Sequence, residues 1–204
     1  MPDKSKTVLL VPGIFDRGYS MHRMRRALNE RGFNAHYIHL QYNSGWHGME
    51  YLSYQLQSQI EALIETGHTF ALVGFSMGGI VARHYLQARD GMARVHKFIT
   101  LSSPHYGSLW ANFLPYAGGR QLRIGSRFLA ALNRDIHNLA PLQPVSLWTP
   151  YDVTIVPHTS SRLPLGATYQ IPVKLHRWVP LDARVISIVG DELAAALDRP
   201  VDGA

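Results

Sequence analysis

A serine stands in the pentapeptide Gly-Phe-Ser-Met-Gly at 74–78, after the apolar run 70–73 and before a helical stretch at 80–87. A serine hydroxyl is a weak nucleophile unless it is exposed, placed beside a base and faced by donors for the oxyanion. The glycines allow a sharp turn that presents the Ser76 hydroxyl and the Met77 amide to the same space. This context predicts a catalytic nucleophile at Ser76, against the alternative of an ordinary turn serine.

Such a nucleophile needs a histidine base that a carboxylate holds in one tautomer. Asp152 follows one late strand-like run and His176 follows the last one, so both belong to strand ends. We predict Asp152 as the acid and His176 as the base, with His158 as the alternative base. Asp182 and Asp191 are weaker candidates for the acid, because the first is placed to cap the last helix and the second lies inside it.

The elements that must position these residues alternate along the chain, without repeats or low-complexity segments. Apolar runs typical of buried strands occupy residues 7–11, 35–40, 70–73, 95–101, 145–148 and 168–173. Helical spacing of apolar residues covers 20–31, 50–66, 80–87 and 183–197. The alternation predicts one α/β domain over residues 1–204, with about six mostly parallel strands flanked by helices.

Three further features accompany the serine turn. Leu-Val-Pro-Gly-Ile at 10–14 follows an early strand, and Leu-Ser-Ser-Pro-His-Tyr-Gly-Ser covers 101–108. An aspartate loop and a histidine loop then follow in that order. On these segments, spanning about 7–189, the chain resembles the α/β-hydrolase superfamily, and within it the small bacterial lipases and esterases. The resemblance implies a minimal α/β-hydrolase fold and an oxyanion hole made by the backbone amides of Ile14 and Met77.

The resemblance also directs attention to the residues around the acyl group. Phe15 is bulky where many lipases have glycine, and Pro12 stands where many have histidine. We predict that four side chains contact the substrate, namely Phe15, Phe75, His105 and Tyr106, with His105 also shaping the carboxyl edge of the sheet.

Residues 106–144 are too many for an ordinary connection and predict a helical, cap-like insertion over the site. Its centre predicts one amphipathic helix. Four arginines share one face: Arg120, Arg123, Arg127 and Arg134. Five apolar residues share another: Leu122, Ile124, Phe128, Leu129 and Leu132. The apolar face is expected to line an acyl channel. The arginines are expected either to meet an anionic lipid surface or acidic substrate, or simply to face solvent.

The composition narrows the classes of function. A net charge of +6 is a modest excess that soluble proteins commonly carry without binding nucleic acid, so we expect no nucleic-acid partner. The chain has no cysteine, and histidines such as His36 and His39 fit a strand surface, so we expect no metal and no cofactor. No apolar run is long enough to span a membrane, and the first residues lack a signal region. We therefore expect a cytoplasmic protein, with a processed secreted form as the alternative, and at most peripheral contact with a lipid surface.

The residues favour hydrolysis of carboxylic esters, lipids included, through a Ser-His-Asp triad and an acyl-enzyme. Thioester hydrolysis and acyl transfer use the same triad and stay open, as does a non-catalytic scaffold that binds a partner through its basic face. Product analysis with an added alcohol separates transfer from hydrolysis.

Overall fold

A computed structural model describes residues 6–16 and 19–198. Its strands are β1 (Thr7–Val11), β2 (Asn34–Tyr37), β3 (Phe70–Phe75), β4 (Val95–Leu101), β5 (Val145–Trp148) and β6 (Ala167–Gln170). They form one sheet of six strands in the order β2-β1-β3-β4-β5-β6, and every neighbouring pair is parallel. The predicted parallel sheet is therefore confirmed.

Two predicted strands end earlier than the sequence indicates. β2 stops at Tyr37 rather than at residue 40, and β6 stops at Gln170 rather than at residue 173. Both are edge strands with a single partner, and β6 ends where β5 ends, whereas β2 ends one residue before β1 does. Ile171 and Val173 beyond β6 remain buried. The apolar runs thus continue past the ladders as extended chain.

Helices cover both faces of the sheet. They are α1 (His22–Glu30), α2 (Met49–Leu63), α3 (Met77–Ala88), α4 (Ala117–Gln121), α5 (Arg127–Arg134) and α6 (Ala183–Leu197). The helix predicted at 183–197 is found at those bounds, and the Asp182 side chain caps it by accepting a hydrogen bond from the Arg184 amide at 2.9 Å. None of the described helices is long and apolar enough to cross a bilayer.

The core consists of two apolar layers separated by the sheet. Alternate residues of β1 enter opposite layers, with Leu9 packing on the side of α2 and α3 and Leu10 on the side of α1 and α6. All five residues of β1 are buried, because helices cover both faces of this central strand. The rigid sheet fixes the strand ends, and the loops at its carboxyl edge carry the candidate chemistry.

The insertion after β4 differs from the prediction of one central helix. It contains α4 and α5, with 3-10 turns at Leu109–Phe113 and Ile136–Leu142. The chain breaks between α4 and α5 because Gly125 has a φ of +76° and the Ser126 side chain caps α5 by accepting from the Leu129 amide. Ile124 falls in this break and is 48% exposed, so it does not share the buried apolar face of Leu129 and Leu132.

Candidate active site

Ser76 occupies the junction between β3 and α3. Its φ of 53° and ψ of −125° lie in a region that costs a non-glycine residue about 1–3 kcal/mol. The junction is fixed on both sides, because the Ser76 amide donates to the Leu101 carbonyl at 2.8 Å and the Ser76 carbonyl accepts from the Gly79 amide at 3.1 Å. Ser76 is buried at this junction, with 6% of its surface exposed.

The glycines beside Ser76 permit close backbone contact. A Cβ on Gly74 would lie 2.4 Å from the Gly79 Cα, and one on Gly78 would lie 2.3 Å from the Pro12 carbonyl oxygen. The start of α3 is therefore pressed against the loop after β1. The sequence predicts a tight bend at these glycines. In the structure they also make room for neighbouring backbone.

Asp152 and His176 form a buried pair at the ends of β5 and β6. The His176 Nδ1 lies 2.7 Å from Asp152 Oδ2, with side-chain exposures of 10% and 1%. The other carboxylate oxygen accepts hydrogen bonds from the amides of Thr154 and Ile155, at 2.9 and 2.8 Å. A carboxylate only accepts, so Nδ1 of a neutral His176 carries the proton and Nε2 keeps its lone pair.

The His176 ring lies beside the serine junction. Its centroid is 5.0 Å from that of Phe75, the residue before Ser76. Nε2 is enclosed and makes no hydrogen bond within the described part of the chain. His158, the alternative base, instead stacks on Trp148 with centroids 5.4 Å apart.

The two other candidate aspartates have structural partners. Asp182 caps α6 and pairs with Arg184 at 2.8 Å, an interaction that holds the pKa of this carboxyl below its usual value. Asp191 lies inside α6 and pairs with Arg31 at 2.6 Å. Neither is engaged by His176, as the sequence argument expected.

The loop after β1 brings Ile14 to the serine. A Cβ on Gly13 would approach the Ser76 Cβ to 3.2 Å, so the chain that leads into Ile14 lies beside Ser76. The Ile14 amide makes no hydrogen bond within the described ranges. The Met77 amide begins α3, where backbone N–H groups lack partners in the preceding turn and the helix dipole favours negative charge.

A residue that the sequence analysis missed holds this loop. The Asn43 side-chain amide donates to the backbone carbonyls of Gly13 and Asp16, at 3.3 and 2.5 Å. The backbone carbonyl of Asn43 accepts from the Phe15 amide at 3.3 Å. Phe15 has a φ of 57°, a strained value for a bulky residue. Nothing in the sequence ties Asn43 to Gly13, because the two lie thirty residues apart.

The four residues predicted to contact substrate have different surroundings. Phe15 is largely exposed and lines a cavity of about 530 Å³ together with Tyr42 and Asn43. Phe75 is buried against His176, and Tyr106 is 40% exposed.

The prediction that His105 contacts substrate does not fit the structure. The ring is fully buried, and its Nε2 lies 3.2 Å from the Thr100 hydroxyl of β4. Burial lowers the pKa of His105 well below its usual value, and the nearby Arg83 guanidinium lowers it further. The His105 ring therefore lies inside the carboxyl edge of the sheet, where it contacts β4 and cannot reach a substrate.

The arginines of the insertion differ in what they contact. Arg120 donates to the Pro115 carbonyl and Arg123 donates to that of Ala111, so both hold backbone of the insertion. Arg120 and Arg127 also line a cavity of about 650 Å³ between α2, α3, α4 and α5. None of Ser76, Asp152 and His176 lines this cavity, so its volume does not identify the reactive centre.

Comparisons with known proteins agree with this architecture. The profile of the palmitoyl protein thioesterase family matches residues 7–117, more than half of the 204 residues. The match contains Ile14, Ser76 and Met77 and ends before Asp152 and His176. A search of curated protein sequences found no significant match.

Solved structures with a similar fold include several lipases. The mature lipase BlEst2 of Bacillus licheniformis has 17% identity and a TM-score of 0.72, with 95% of this chain and 94% of that chain covered. Lipase B of Aspergillus fumigatus has 15% identity and a TM-score of 0.76, with 93% of this chain and 52% of that chain covered. A monoacylglycerol lipase of Paleococcus ferrophilus has 15% identity and a TM-score of 0.65, with coverages of 93% and 94%.

At these identities the structural likeness establishes the fold, whereas the profile match over more than half of the chain establishes the family. The chain has the α/β-hydrolase fold and belongs to the palmitoyl protein thioesterase family.

Proposed function

We propose that this chain is a serine hydrolase that cleaves acyl ester bonds through Ser76, His176 and Asp152. The observation that carries the proposal is the buried pair of His176 Nδ1 and Asp152 Oδ2 at 2.7 Å, with an unpartnered Nε2 beside the serine junction. A carboxylate that accepts three hydrogen bonds is held firmly, and it fixes both the tautomer and the ring plane of the base.

The reaction follows from these positions. His176 Nε2 takes the proton of the Ser76 hydroxyl as the oxygen attacks the acyl carbon, and Asp152 stabilises the imidazolium that forms. The amides of Ile14 and Met77 receive the negative charge on the acyl oxygen. His176 then protonates the leaving group, and a water molecule activated by the same nitrogen releases the acyl group from Ser76.

Thioesters are the second candidate substrates, since the family profile that matches the chain is that of palmitoyl protein thioesterases. Both substrates pass through the same acyl-enzyme and differ in the leaving group. A thiolate leaves without full protonation, so thioester cleavage depends less on proton donation by His176 than oxygen-ester cleavage does.

The test uses oxygen esters and thioesters of the same acyl groups, graded in chain length, with the intact chain and Ser76→Ala. We expect Ser76→Ala to lower turnover of the preferred series by roughly 10⁴-fold or more, because triad members act as a unit. Labelling with a fluorophosphonate, followed by peptide mass spectrometry, is expected to modify Ser76. Equal turnover by both proteins, or labelling at another serine, contradicts the proposal.

A further inference from the structure

The large aromatic side chains exposed on the loops that leave the carboxyl edge of the sheet include two phenylalanines, three tryptophans and Tyr42. We call these six the aromatic rim: Phe15, Tyr42, Trp46, Trp110, Phe113 and Trp178. Their exposures range from 45% to 75%. Because all six strands are parallel, the loops after β1, β2, β4 and β6 that carry the rim emerge on the same edge as Ser76, Asp152 and His176.

The rim is nearly free of charge. Loops 38–48 and 102–116 contain no Asp, Glu, Lys or Arg, whereas the exposed face of α1 carries several arginines. On the loops after β5 and β6, Asp152 is buried against His176. The exposed charges on these two loops are the cations of Arg162, Lys174 and Arg177. The loop after β1 carries one partly exposed carboxylate, that of Asp16, which accepts hydrogen bonds from Ser20. The loops after β2, β4, β5 and β6 have no exposed carboxylate that would oppose an anionic or neutral lipid surface.

The rim side chains are held in place rather than loosely extended. Trp46 stacks on Tyr116 with centroids 5.7 Å apart, and Trp110 packs on Phe113 at 5.6 Å. The Trp110 indole N–H donates to the Val153 carbonyl at 2.6 Å. Trp and Tyr side chains that keep their polar atom satisfied while presenting an apolar ring are typical of the boundary between water and lipid.

We propose that the aromatic rim is a docking surface for a lipid bilayer, on which it presents a membrane-embedded acyl substrate to Ser76. The inference deepens the proposed function, on which it rests for the identity of the substrate. The surrounding observations favour lipid over a charged protein partner, because two of the contributing loops offer no ion pairs and the few exposed charges are positive.

Sedimentation with vesicles measures docking without chemistry. The chain carrying Ser76→Ala is mixed with phosphatidylcholine vesicles and with vesicles that also contain phosphatidylserine. We expect binding to both, with a modest, salt-sensitive gain from phosphatidylserine due to Lys174 and Arg177. Adding Trp46→Ser and Phe113→Ser is expected to weaken binding by roughly 10- to 100-fold, from the apolar area withdrawn from lipid.

A matched control removes exposed apolar side chains elsewhere. Tyr54→Ser with Leu63→Ser alters two residues of α2 that are 57% and 50% exposed and lie off the rim. Vesicle binding is expected to survive in this control. Equal loss in both double variants overturns the proposal. So does failure of the parent chain to sediment with either vesicle, or binding that requires phosphatidylserine and ignores the rim.

A second copy of the chain is the competing occupant of this surface. Concentration-dependent dimerisation that the rim variant abolishes, without vesicle binding by the parent, assigns the rim to self-association and overturns the lipid proposal. Failure of the proposed hydrolase function can be distinguished from failure of the docking proposal. A chain that binds vesicles through the rim but cleaves no soluble or embedded acyl ester retains the docking surface and loses the hydrolase.

Discussion

At the scale of single residues, Asn43 is the side chain whose role extends furthest beyond its own loop. Its amide ties together the carbonyls of Gly13 and Asp16, and its carbonyl holds the Phe15 amide. The strained φ of Phe15 requires such support, since an isolated loop would relax. In the proposed mechanism, Asn43 is thus a positioning residue for the Ile14 amide and does not itself contact the acyl group.

Replacing Asn43 by Asp keeps its size but removes both donated hydrogen bonds. We expect Asn43→Asp to lower kcat by about 10- to 100-fold, somewhat less than the loss of an oxyanion donor itself, with KM nearly unchanged. Steady-state kinetics on a soluble ester measure the split. Ser44→Ala at the neighbouring position is the control. A rise in KM with unaltered kcat contradicts the positioning role.

At the scale of elements, one buried arginine ties the insertion to the helix that begins at the serine. Arg83 of α3 is fully buried and donates to Gln87, to Asn133 and to the Leu132 carbonyl, at 2.7, 2.9 and 2.7 Å. Burial lowers the pKa of Arg83 to about 10, so the guanidinium stays charged at neutral pH. Asn133 in turn donates to the His105 carbonyl, which links α5 to the loop after β4.

Arg83→Met should remove this link while filling most of the volume. The substitution removes the donor of the side-chain oxygens of Asn133 and Gln87, whereas the Leu132 carbonyl still accepts from the Gln87 side chain. At about 1–3 kcal/mol for each acceptor left without a donor, we expect a loss of about 2–4 kcal/mol in the free energy of unfolding. Urea unfolding measures it. Arg134→Met, an exposed arginine of the same helix pair, is expected to change stability by less than about 0.5 kcal/mol. Similar losses in the two variants argue against the buried link.

The sequence predicts some of these features better than others. Features that depend on neighbouring residues are predicted well, whereas contacts between distant segments are not. Ser76 and its glycines follow one another in the chain, and the aspartate and histidine are ordered by the strands that precede them. The break in the insertion was also local, since Gly125 and Ser126 form a stop and a start signal that the spacing of apolar residues obscured. The contacts of Asn43 and Arg83 join distant segments and could not be predicted from the sequence.

At the scale of the whole molecule, acid stability reflects histidines that the fold buries as neutral groups. The pKa of His105 is well below its usual value, chiefly through burial, and burial also lowers the pKa of His84. The unfolded chain therefore takes up protons at a higher pH than the folded chain. Stability from these groups is fully present above an unfolded pKa of about 6.5 and is lost as the pH falls below it.

His105→Gln tests this dependence. For the parent chain we expect the free energy of unfolding to fall between neutral pH and pH of about 5, with His105 contributing a slope of up to about 1.4 kcal/mol per pH unit. The variant is expected to lose that part of the slope in urea titrations across the range. His22→Gln, an exposed histidine, serves as the reference. An identical slope in parent and His105→Gln contradicts the assignment.

The whole molecule keeps its apolar core apart from the aromatic rim. The two apolar layers lie on the faces of the sheet, whereas the rim and the candidate catalytic residues lie at the carboxyl edge. We therefore expect substitutions on the rim to change the binding of the protein to a lipid surface, with little effect on its stability.

Gly79 has a consequence for tracing the evolution of this architecture. A Cβ at this position would lie 2.0 Å from the Ser103 Oγ, inside the segment that follows β4. A chain with alanine here must either shift that segment or replace Ser103 by glycine, even when its Gly-x-Ser-x-Gly pattern is intact. The pair at 79 and 103 thus offers a criterion for separating descendants that inherited the whole junction from chains that share only the short motif.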